Sequence, residues 1–361
     1  SADEVTRVFE ACRTLFPQPN AIAAATALGL ASGLKGRRQP VGETLAGEAG
    51  SADAMYLASL FEWSATAAAQ PGDPFRTRAI ELLEFAPWER ARVLLDIAAA
   101  DPDLASRKQA ISILARRSEP EIDDRLAGNL AGLTPELRQA SIAALMTSTR
   151  RIGRLLEEVE SGRCSPRLID QARVKQLTSH RDAAIQERAR KLFADSTPEA
   201  RLKILAEYQA CLSLESDPQR GREVFKATCS VCHRIGDLGV DVAPDISDSR
   251  TKTRDYLLTA ILDPNQAIDN NYFSYTLIDR DGLIHTGVIA AETATSVTLK
   301  QPEGKSITVP RGDIEELKST GLSLMPEGLE RNITLQQMAD LISFLKNWRY
   351  LDGSVPQEVI R

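Results

Sequence analysis

A short signal, a polar residue followed by proline, recurs along the first two thirds of the chain at nearly constant spacing. It occurs as DPF, DPD, TPE, SPR and TPE, with prolines at positions 74, 102, 135, 166 and 198, so the intervals are 28, 33, 31 and 32 residues. Asp, Ser and Thr cap helix N-termini well, and proline suits the first helical position because it has no N–H to leave unpaired. We therefore predict that a helix begins at each signal.

Each interval has the length of two short helices with their turns, and the apolar residues between the signals follow a helical period. Ala79, Leu82 and Leu83, for example, follow the first signal in this way. A helical repeat of this length resembles the HEAT and armadillo-like α-solenoids, in which each helix pair buries its apolar face on the next. We predict a HEAT-like repeat domain over residues 1–215, with an irregular helical bundle as the alternative.

From about residue 272 to residue 319 the hydrophobic period changes from helical to alternating. The segments YFSYTLID, LIHTGVIAAE, SVTLKQ and KSITVP are rich in Val, Ile, Thr and Tyr. RDG and PEGK, which lie between them, carry the glycine that a tight hairpin turn needs. The pattern predicts a small antiparallel sheet of four or five strands.

Helices are expected before and after this sheet in the sequence. One begins at Asp217 and runs into Cys229, and the last begins at Thr334, where a glutamine three residues later completes a capping box. The overall prediction is a mainly α protein in which the sheet is an insertion within a second domain at 216–354. A tail at 355–361 follows.

Composition limits the functions that such a chain can have. Hydrophobic residues make up 43% and charged residues 26%, which is typical of a globular protein. The formal net charge is −6, and the sequence has no basic block of the kind that binds nucleic acid. The longest apolar stretch, which starts at Asn20, is too short to span a bilayer. We expect no nucleic-acid partner and no membrane span in this chain, and the sequence predicts no oligomeric state.

The segment KATCSVCHRIG, residues 226–236, limits the possible functions of the chain more than any other segment. Cys229 and Cys232 are separated by two residues, and His233 follows directly. Two thiols with this spacing on a helical turn can reach the two vinyl groups of one porphyrin, and the adjacent imidazole then faces the iron. In a chain with this number of cysteines and histidines, the pattern should arise by chance on the order of once in a thousand sequences. It therefore predicts a covalently attached haem c.

Two other chemistries use paired cysteines. A thioredoxin-like dithiol follows a strand in a βαβ unit, whereas this pair follows a predicted helix. A tetrahedral zinc site needs two more ligands. No second close pair occurs among the remaining candidates, which are Cys12, Cys164, Cys211, His180 and His285. Haem is the interpretation that uses the whole motif, and the roles of the other cysteines stay open.

A six-coordinate haem needs a second iron ligand on the face opposite the histidine, and the chain has four methionines. Met55 and Met146 lie among apolar residues of the repeats, and Met338 lies on the apolar stripe of the last helix, so we expect all three to fill cores. Met325 lies in the irregular segment STGLSLMPEGL and has no evident packing role. Met325 is therefore the predicted distal ligand, and His285, in a predicted strand, is the rival.

Five features follow one another between residues 218 and 350: a helix containing GREVF, the CSVCH motif, APD around Pro244, the methionine segment and a last helix containing FL. In this order they resemble a class I c-type cytochrome domain. More narrowly, GREVFKATCSVCHRIG, VAPDIS, AILDPNQAI, the strand-rich insertion and SLMPEGL are similar to a haem-binding domain type of planctomycetes and verrucomicrobia. In that family the domain commonly follows HEAT-like repeats, often downstream of a propeller-like dehydrogenase module.

The resemblance implies a role for each matching residue of the motif. Cys229 and Cys232 would carry the thioether bonds, His233 would bind the iron on one face and Met325 on the other. The carbonyl of Pro244 would accept a hydrogen bond from Nδ1–H of His233, which fixes the ring as the outer partners of metal ligands do.

The resemblance also implies a close crossing of the first and last helices of the domain. Gly221 would allow it, with Phe225 packed near Phe344 and Leu345. This chain departs from small cytochromes because the two predicted iron ligands lie 92 positions apart in the sequence. The predicted sheet accounts for that length.

One-electron transfer is the predicted function, so we expect an electron carrier without catalytic residues rather than an enzyme. Ligation by histidine and methionine fills both axial positions, which leaves no open site for oxygen or peroxide. The repeats would be a docking scaffold, and the redox partner a protein such as an associated or fused dehydrogenase. Two alternatives stay open: a peroxidase-like haem enzyme with a displaceable distal ligand, and a scaffold with a structural haem.

If the chain binds haem c, its cellular compartment can also be predicted. Haem is attached to C-x-x-C-H motifs outside the bacterial cytoplasm, so we expect a periplasmic protein with a signal sequence or upstream region ahead of Ser1. The sequence predicts neither the redox potential nor the electron donor and acceptor.

Overall fold

The computed structural model describes residues 2–34, 45, 50–193 and 199–351. Within these ranges the protein is mainly helical, with a small antiparallel sheet in its C-terminal part, as the sequence predicts. Among the described helices, none has both the length and the apolar character needed to cross a bilayer.

The chain divides into two compact units. The first comprises Ser1–Leu130 and Glu136–Leu155, and the second comprises Ala131–Pro135 and Leu156–Arg361. The boundary predicted near residue 215 lies within the second unit, and the tail predicted at 355–361 lies outside the described residues.

Short helices form most of the described chain up to residue 160. They are α1 (Ala2–Leu15), α2 (Ala21–Gly33), α3 (Ala52–Ala68), α4 (Arg76–Leu82), α5 (Trp88–Ala91), α6 (Val93–Ala100), α7 (Leu104–Leu114), α8 (Pro120–Ala127), α9 (Pro135–Leu145) and α10 (Thr149–Glu160). Several consecutive helices contact each other, as α3 and α4 do and as α6 and α7 do, and apolar residues of these helices are buried.

The proline signals within the described residues lie at turns, but not every one of them begins a helix. Helix α9 does begin at Pro135. Near Pro102 the helix begins two residues later, and its N-cap is Asp103 rather than Asp101. A tertiary contact explains why Asp101 does not cap the helix: its carboxylate forms a buried ion pair with Arg76.

The other signals also differ from the prediction. After Pro74, α4 begins at Arg76 without a side-chain cap. Pro166 begins a single 3₁₀ turn rather than an α-helix. The signal at Pro198 lies outside the described residues.

Buried arginines recur in the first unit at a spacing of 31 residues. They are Arg76, Arg107 and Arg138. Arg76 donates to the carbonyl of Ala68 at the end of α3, and Arg107 donates to the carbonyl of Ala98 near the end of α6. The last carbonyls of a helix have no partner within it, so these guanidinium groups satisfy them.

Ion pairs between residues 28 to 32 positions apart join successive parts of the first unit. They are Arg92–Glu121, Arg116–Glu84, Arg125–Asp96, Arg151–Asp123 and Arg154–Asp124. Their separation matches the interval between the proline signals.

The second unit combines helices with the sheet. Its later helices are α11 (Gln171–Thr178), α12 (Ala183–Leu192), α13 (Glu199–Tyr208), α14 (Pro218–Thr228), α15 (Arg254–Leu262) and α16 (Leu335–Asn347). Its strands are β1 (Arg234–Ile235), β2 (Leu238–Gly239), β3 (Phe273–Asp279), β4 (Ile284–Glu292), β5 (Ser296–Lys300), β6 (Ser306–Pro310) and β7 (Ile314–Ser323).

Strands β3 to β7 form the predicted antiparallel sheet, in the order β6-β5-β4-β3-β7. The last strand therefore pairs with the first, and Phe273 lies opposite Ser323. Because β3 and β7 lie side by side, the chain enters and leaves the sheet at neighbouring points. The long insertion thus returns close to where it began.

Helices α14 and α16 cross closely at Gly221. A Cβ atom on Gly221 would lie 1.9 Å from the backbone oxygen of Asp340. Beside this point the rings of Phe225 and Phe344 pack with their centroids 5.4 Å apart. The predicted capping box at Thr334 is also present and begins α16.

A buried carboxylate supports the same crossing. Asp340 accepts hydrogen bonds from Arg220 and from the backbone N–H of Asp217, both at the start of α14. Burial alone would raise the pKa of the Asp340 carboxyl, but these bonds outweigh it and hold the pKa below its ordinary value. The start of α14 is therefore fixed to α16 by charge as well as by packing.

We predict that Gly221→Ala destabilises the protein by about 2–3 kcal/mol, because the added methyl group meets backbone that cannot move freely. The matched control is Gly29→Ala in α2, where a Cβ atom meets nothing within 4 Å. That change should stabilise the protein by up to about 1 kcal/mol through helix propensity. Urea unfolding followed by circular dichroism measures both, and equal stability of the two variants would contradict the close crossing.

Candidate functional site

The cysteines and the histidine of the CSVCH motif lie on one helical turn at the end of α14. The N–H of Cys229 donates to the carbonyl of Phe225 and so continues the helix. The N–H groups of Cys232 and His233 both donate to the carbonyl of Cys229, at 3.1 and 2.9 Å. Backbone hydrogen bonds alone therefore bring the three residues together.

Both thiols of the motif are free and partly buried. Burial raises the pKa of Cys229 to about 12, with a smaller contribution from Cys232, and burial also raises the pKa of Cys232. A redox-active dithiol needs the opposite shift, because the thiolate is the nucleophile. The environment of this pair is thus unlike that of a thioredoxin-like site.

The imidazole of His233 is oriented by a backbone carbonyl. Its Nδ1 lies 2.9 Å from the oxygen of Pro244, which is the contact that the family resemblance implies. A carbonyl oxygen only accepts, so Nδ1 carries the proton and Nε2 retains its lone pair. Burial lowers the pKa of His233, although the hydrogen bond to Pro244 acts in the opposite direction. Burial therefore favours the neutral ring, whose Nε2 carries the lone pair that metal ligation requires.

Pro244 is itself held against the motif by backbone contacts. The N–H groups of Val242 and Ala243 both donate to the carbonyl of Cys232, at 3.1 and 2.8 Å. Gly239 makes this packing possible, since its φ of 92° favours glycine and a Cβ atom would lie 2.0 Å from the oxygen of His233.

The hairpin formed by β5 and β6 also contacts the motif. The N–H of Glu303, in the turn of the hairpin, donates to the carbonyl of Val231 at 2.7 Å. Lys300 pairs with Asp241 at 3.1 Å on the same side. The PEGK pattern predicts the turn but not the surface on which the turn packs, because that contact spans some seventy residues of sequence.

Met325 follows β7 in an irregular, partly buried segment. The side chain of Asn265, only 7% exposed, accepts a hydrogen bond from the N–H of Ser323 at 2.8 Å and donates to Glu327 at 2.5 Å. One buried amide therefore ties together the residues on both sides of Met325. The segment AILDPNQAI belongs to the family resemblance, but its local pattern predicts no such role for Asn265.

The other candidate ligands differ in their surroundings. Met338 is fully buried in the core, as predicted. Met55 is 64% exposed, so the expectation that it fills a core is wrong, since it lies on an outward face of α3. The Nε2 atom of His285 lies 2.9 Å from the carboxylate of Asp279. His180 accepts at Nδ1 from a backbone N–H in the turn between α11 and α12.

In the part of the chain that the structure describes, no group of three or more His, Cys, Asp or Glu side chains is arranged to hold a metal ion. A haem with one histidine and one methionine ligand is not a site of that kind.

Comparisons with known proteins add no family assignment. No protein-family model matches the chain, and no curated protein matches it either. The likeness to haem-binding domains therefore rests on the motifs themselves.

The raised thiol pKa values predict slow alkylation of the haem-free protein. Cys229 should react with iodoacetamide at pH 8 on the order of a thousandfold more slowly than in the urea-unfolded chain, because the reactive thiolate is depleted by burial. Peptide mapping by mass spectrometry gives the rate at each cysteine. Alkylation of Cys229 in the folded protein at the unfolded rate would contradict the buried environment.

Proposed function

We propose that residues 216–354 bind haem c covalently and that the protein transfers single electrons. The observation that carries the proposal is the turn from Cys229 to His233, in which two free thiols lie beside a neutral imidazole whose Nδ1 is tied to Pro244. Each element of that arrangement has a use in haem c attachment.

The donor set of the site fits this cofactor. Cys229 and Cys232 would form the thioether bonds, and His233 would bind the iron through Nε2, with its ring held in place by Pro244. Burial raises the pKa of both thiols, which lowers the thiolate fraction that disulfide formation between them needs. Bound haem would supply an iron that alternates between the ferric and ferrous states.

Met325 is the distal ligand that we propose. Asn265 anchors the residues before and after it, so the position of this segment is defined. The rival, His285, uses Nε2 in its contact with Asp279. A ligand on each face of the iron would leave no open position for peroxide, which favours electron transfer over the peroxidase-like alternative.

We also propose the finer fold assignments. A class I cytochrome domain is supported by the crossing of α14 and α16 at Gly221, immediately before the motif. A HEAT-like solenoid is supported by the arginines at 31-residue spacing and by the ion pairs one repeat apart in the first unit. The repeats would then serve as a docking scaffold for a redox partner such as a dehydrogenase, in the periplasm.

The test uses protein produced together with c-type haem attachment machinery. Met325→Leu should remove the methionine-to-iron charge-transfer band of the ferric protein and lower its reduction potential by roughly 100 mV or more, because the thioether favours ferrous iron. The control, Met55→Leu, removes an exposed methionine and should change neither quantity. Absorption spectra and a potentiometric titration measure both.

Two outcomes would contradict electron transfer. A high-spin, five-coordinate ferric wild type that reacts quickly with peroxide would indicate a haem enzyme. A haem that no soluble electron carrier reduces or reoxidises would indicate a purely structural role.

A further inference from the structure

Helix α13 contacts the segment that carries Met325 through side chains near its two ends. Arg201 lies in its first turn and Tyr208 is its last residue, so the two are seven positions apart and lie on the same face of the helix. The segment between β7 and α16 has only one short turn of its own, at Leu329–Arg331. It therefore depends on outside partners for a fixed conformation.

Arg201 binds two carboxylates of this segment. Its guanidinium lies 3.1 Å from Glu330 and 3.6 Å from Glu327. The side chains of Arg201 and Glu330 are only 12% and 11% exposed, so water competes little for this pair. Hydrogen bonds between charged groups with little water access are stronger than those between neutral groups.

Tyr208 satisfies backbone carbonyls of the same segment. Its hydroxyl lies 2.6 Å from the oxygen of Ile333 and 3.0 Å from that of Glu330, and it has one proton to share between them. Tyr208 is 8% exposed, so both carbonyls would lose a partner if the hydroxyl were removed. The contact lies next to the start of α16.

These contacts continue the anchoring that Asn265 begins. Asn265 binds Ser323 and Glu327, Arg201 binds Glu327 and Glu330, and Tyr208 binds Glu330 together with Ile333. The anchored positions follow one another along the whole segment. Met325 lies between the first two, so release of the later anchors frees the chain on its C-terminal side.

We infer that Arg201 and Tyr208 are positioning residues for Met325, and that α13 acts as a clamp that limits how often this methionine leaves the iron. The inference rests on the proposed function, in which Met325 is the distal ligand. Opening of the segment must break the contacts of α13, so their loss raises the population of the open form.

Imidazole binding to the ferric protein measures this opening, because an external ligand enters only after the methionine has left. At saturating imidazole the rate equals the rate of methionine departure. We expect Tyr208→Phe to raise it by about five- to tenfold, as one hydrogen bond is lost. Arg201→Gln should raise it by roughly tenfold or more because a charged contact is lost, and Arg201→Lys, which retains the charge, should fall between Arg201→Gln and the wild type.

The matched control is Lys203→Gln on the same helix. Lys203 is exposed and pairs with Glu199 of its own helix, so its replacement should leave the rate unchanged. The resting spectrum should keep the methionine band in all variants. Unchanged imidazole rates in Tyr208→Phe and Arg201→Gln would overturn the clamp while leaving the proposed function intact.

Hydrogen exchange of the haem-free protein tests the clamp without the cofactor. Amides between residues 323 and 333 should exchange faster in Tyr208→Phe and Arg201→Gln than in Lys203→Gln, and equal exchange would overturn the inference. A wild type with haem attached but no methionine signature would instead contradict the distal ligand of the proposed function. The two failures are therefore distinguishable.

Discussion

The close crossing of α14 and α16 at Gly221 is the constraint on which the second unit depends. No side chain fits between Gly221 and the backbone of Asp340. The Asp340 carboxylate also accepts hydrogen bonds from Arg220 and from the backbone N–H of Asp217, at the start of α14. The crossing fixes the direction of α14, and the CSVCH motif begins where that helix ends. The helix that leads into the motif is therefore positioned by residues outside the motif, and Cys229 packs against the same core.

Backbone hydrogen bonds then build the site around that helix end. The carbonyls of Cys229, Val231 and Cys232 each accept from the backbone, and their donors lie in the motif itself, in the β5–β6 hairpin and in the loop before Pro244. The two thiols and Nε2 of His233 take no part in these backbone bonds. A site that is ordered before its cofactor arrives loses little conformational entropy on binding, which is the general advantage of preorganisation.

Features encoded by neighbouring residues could be predicted from the sequence. The capping box at Thr334, the start of α14 at Pro218 and the alternating strands are local patterns, and the structure contains all three. Contacts between distant residues could not be predicted in this way. Asp103 replaces Asp101 as a cap because of Arg76, 25 residues before Asp101. Local pattern likewise gives no sign of the contacts from Tyr208 to a segment more than 120 residues later.

We propose a covalent bond between this chain and haem, and intact mass under denaturing conditions is the decisive measurement. Protein produced with c-type haem attachment machinery should exceed the chain mass by one haem, and the excess should survive unfolding and acid. A Cys229→Ala, Cys232→Ala variant should show the mass of its chain alone. A wild-type mass equal to that of the bare chain, from cells that load a control cytochrome, would rule out covalent haem attachment.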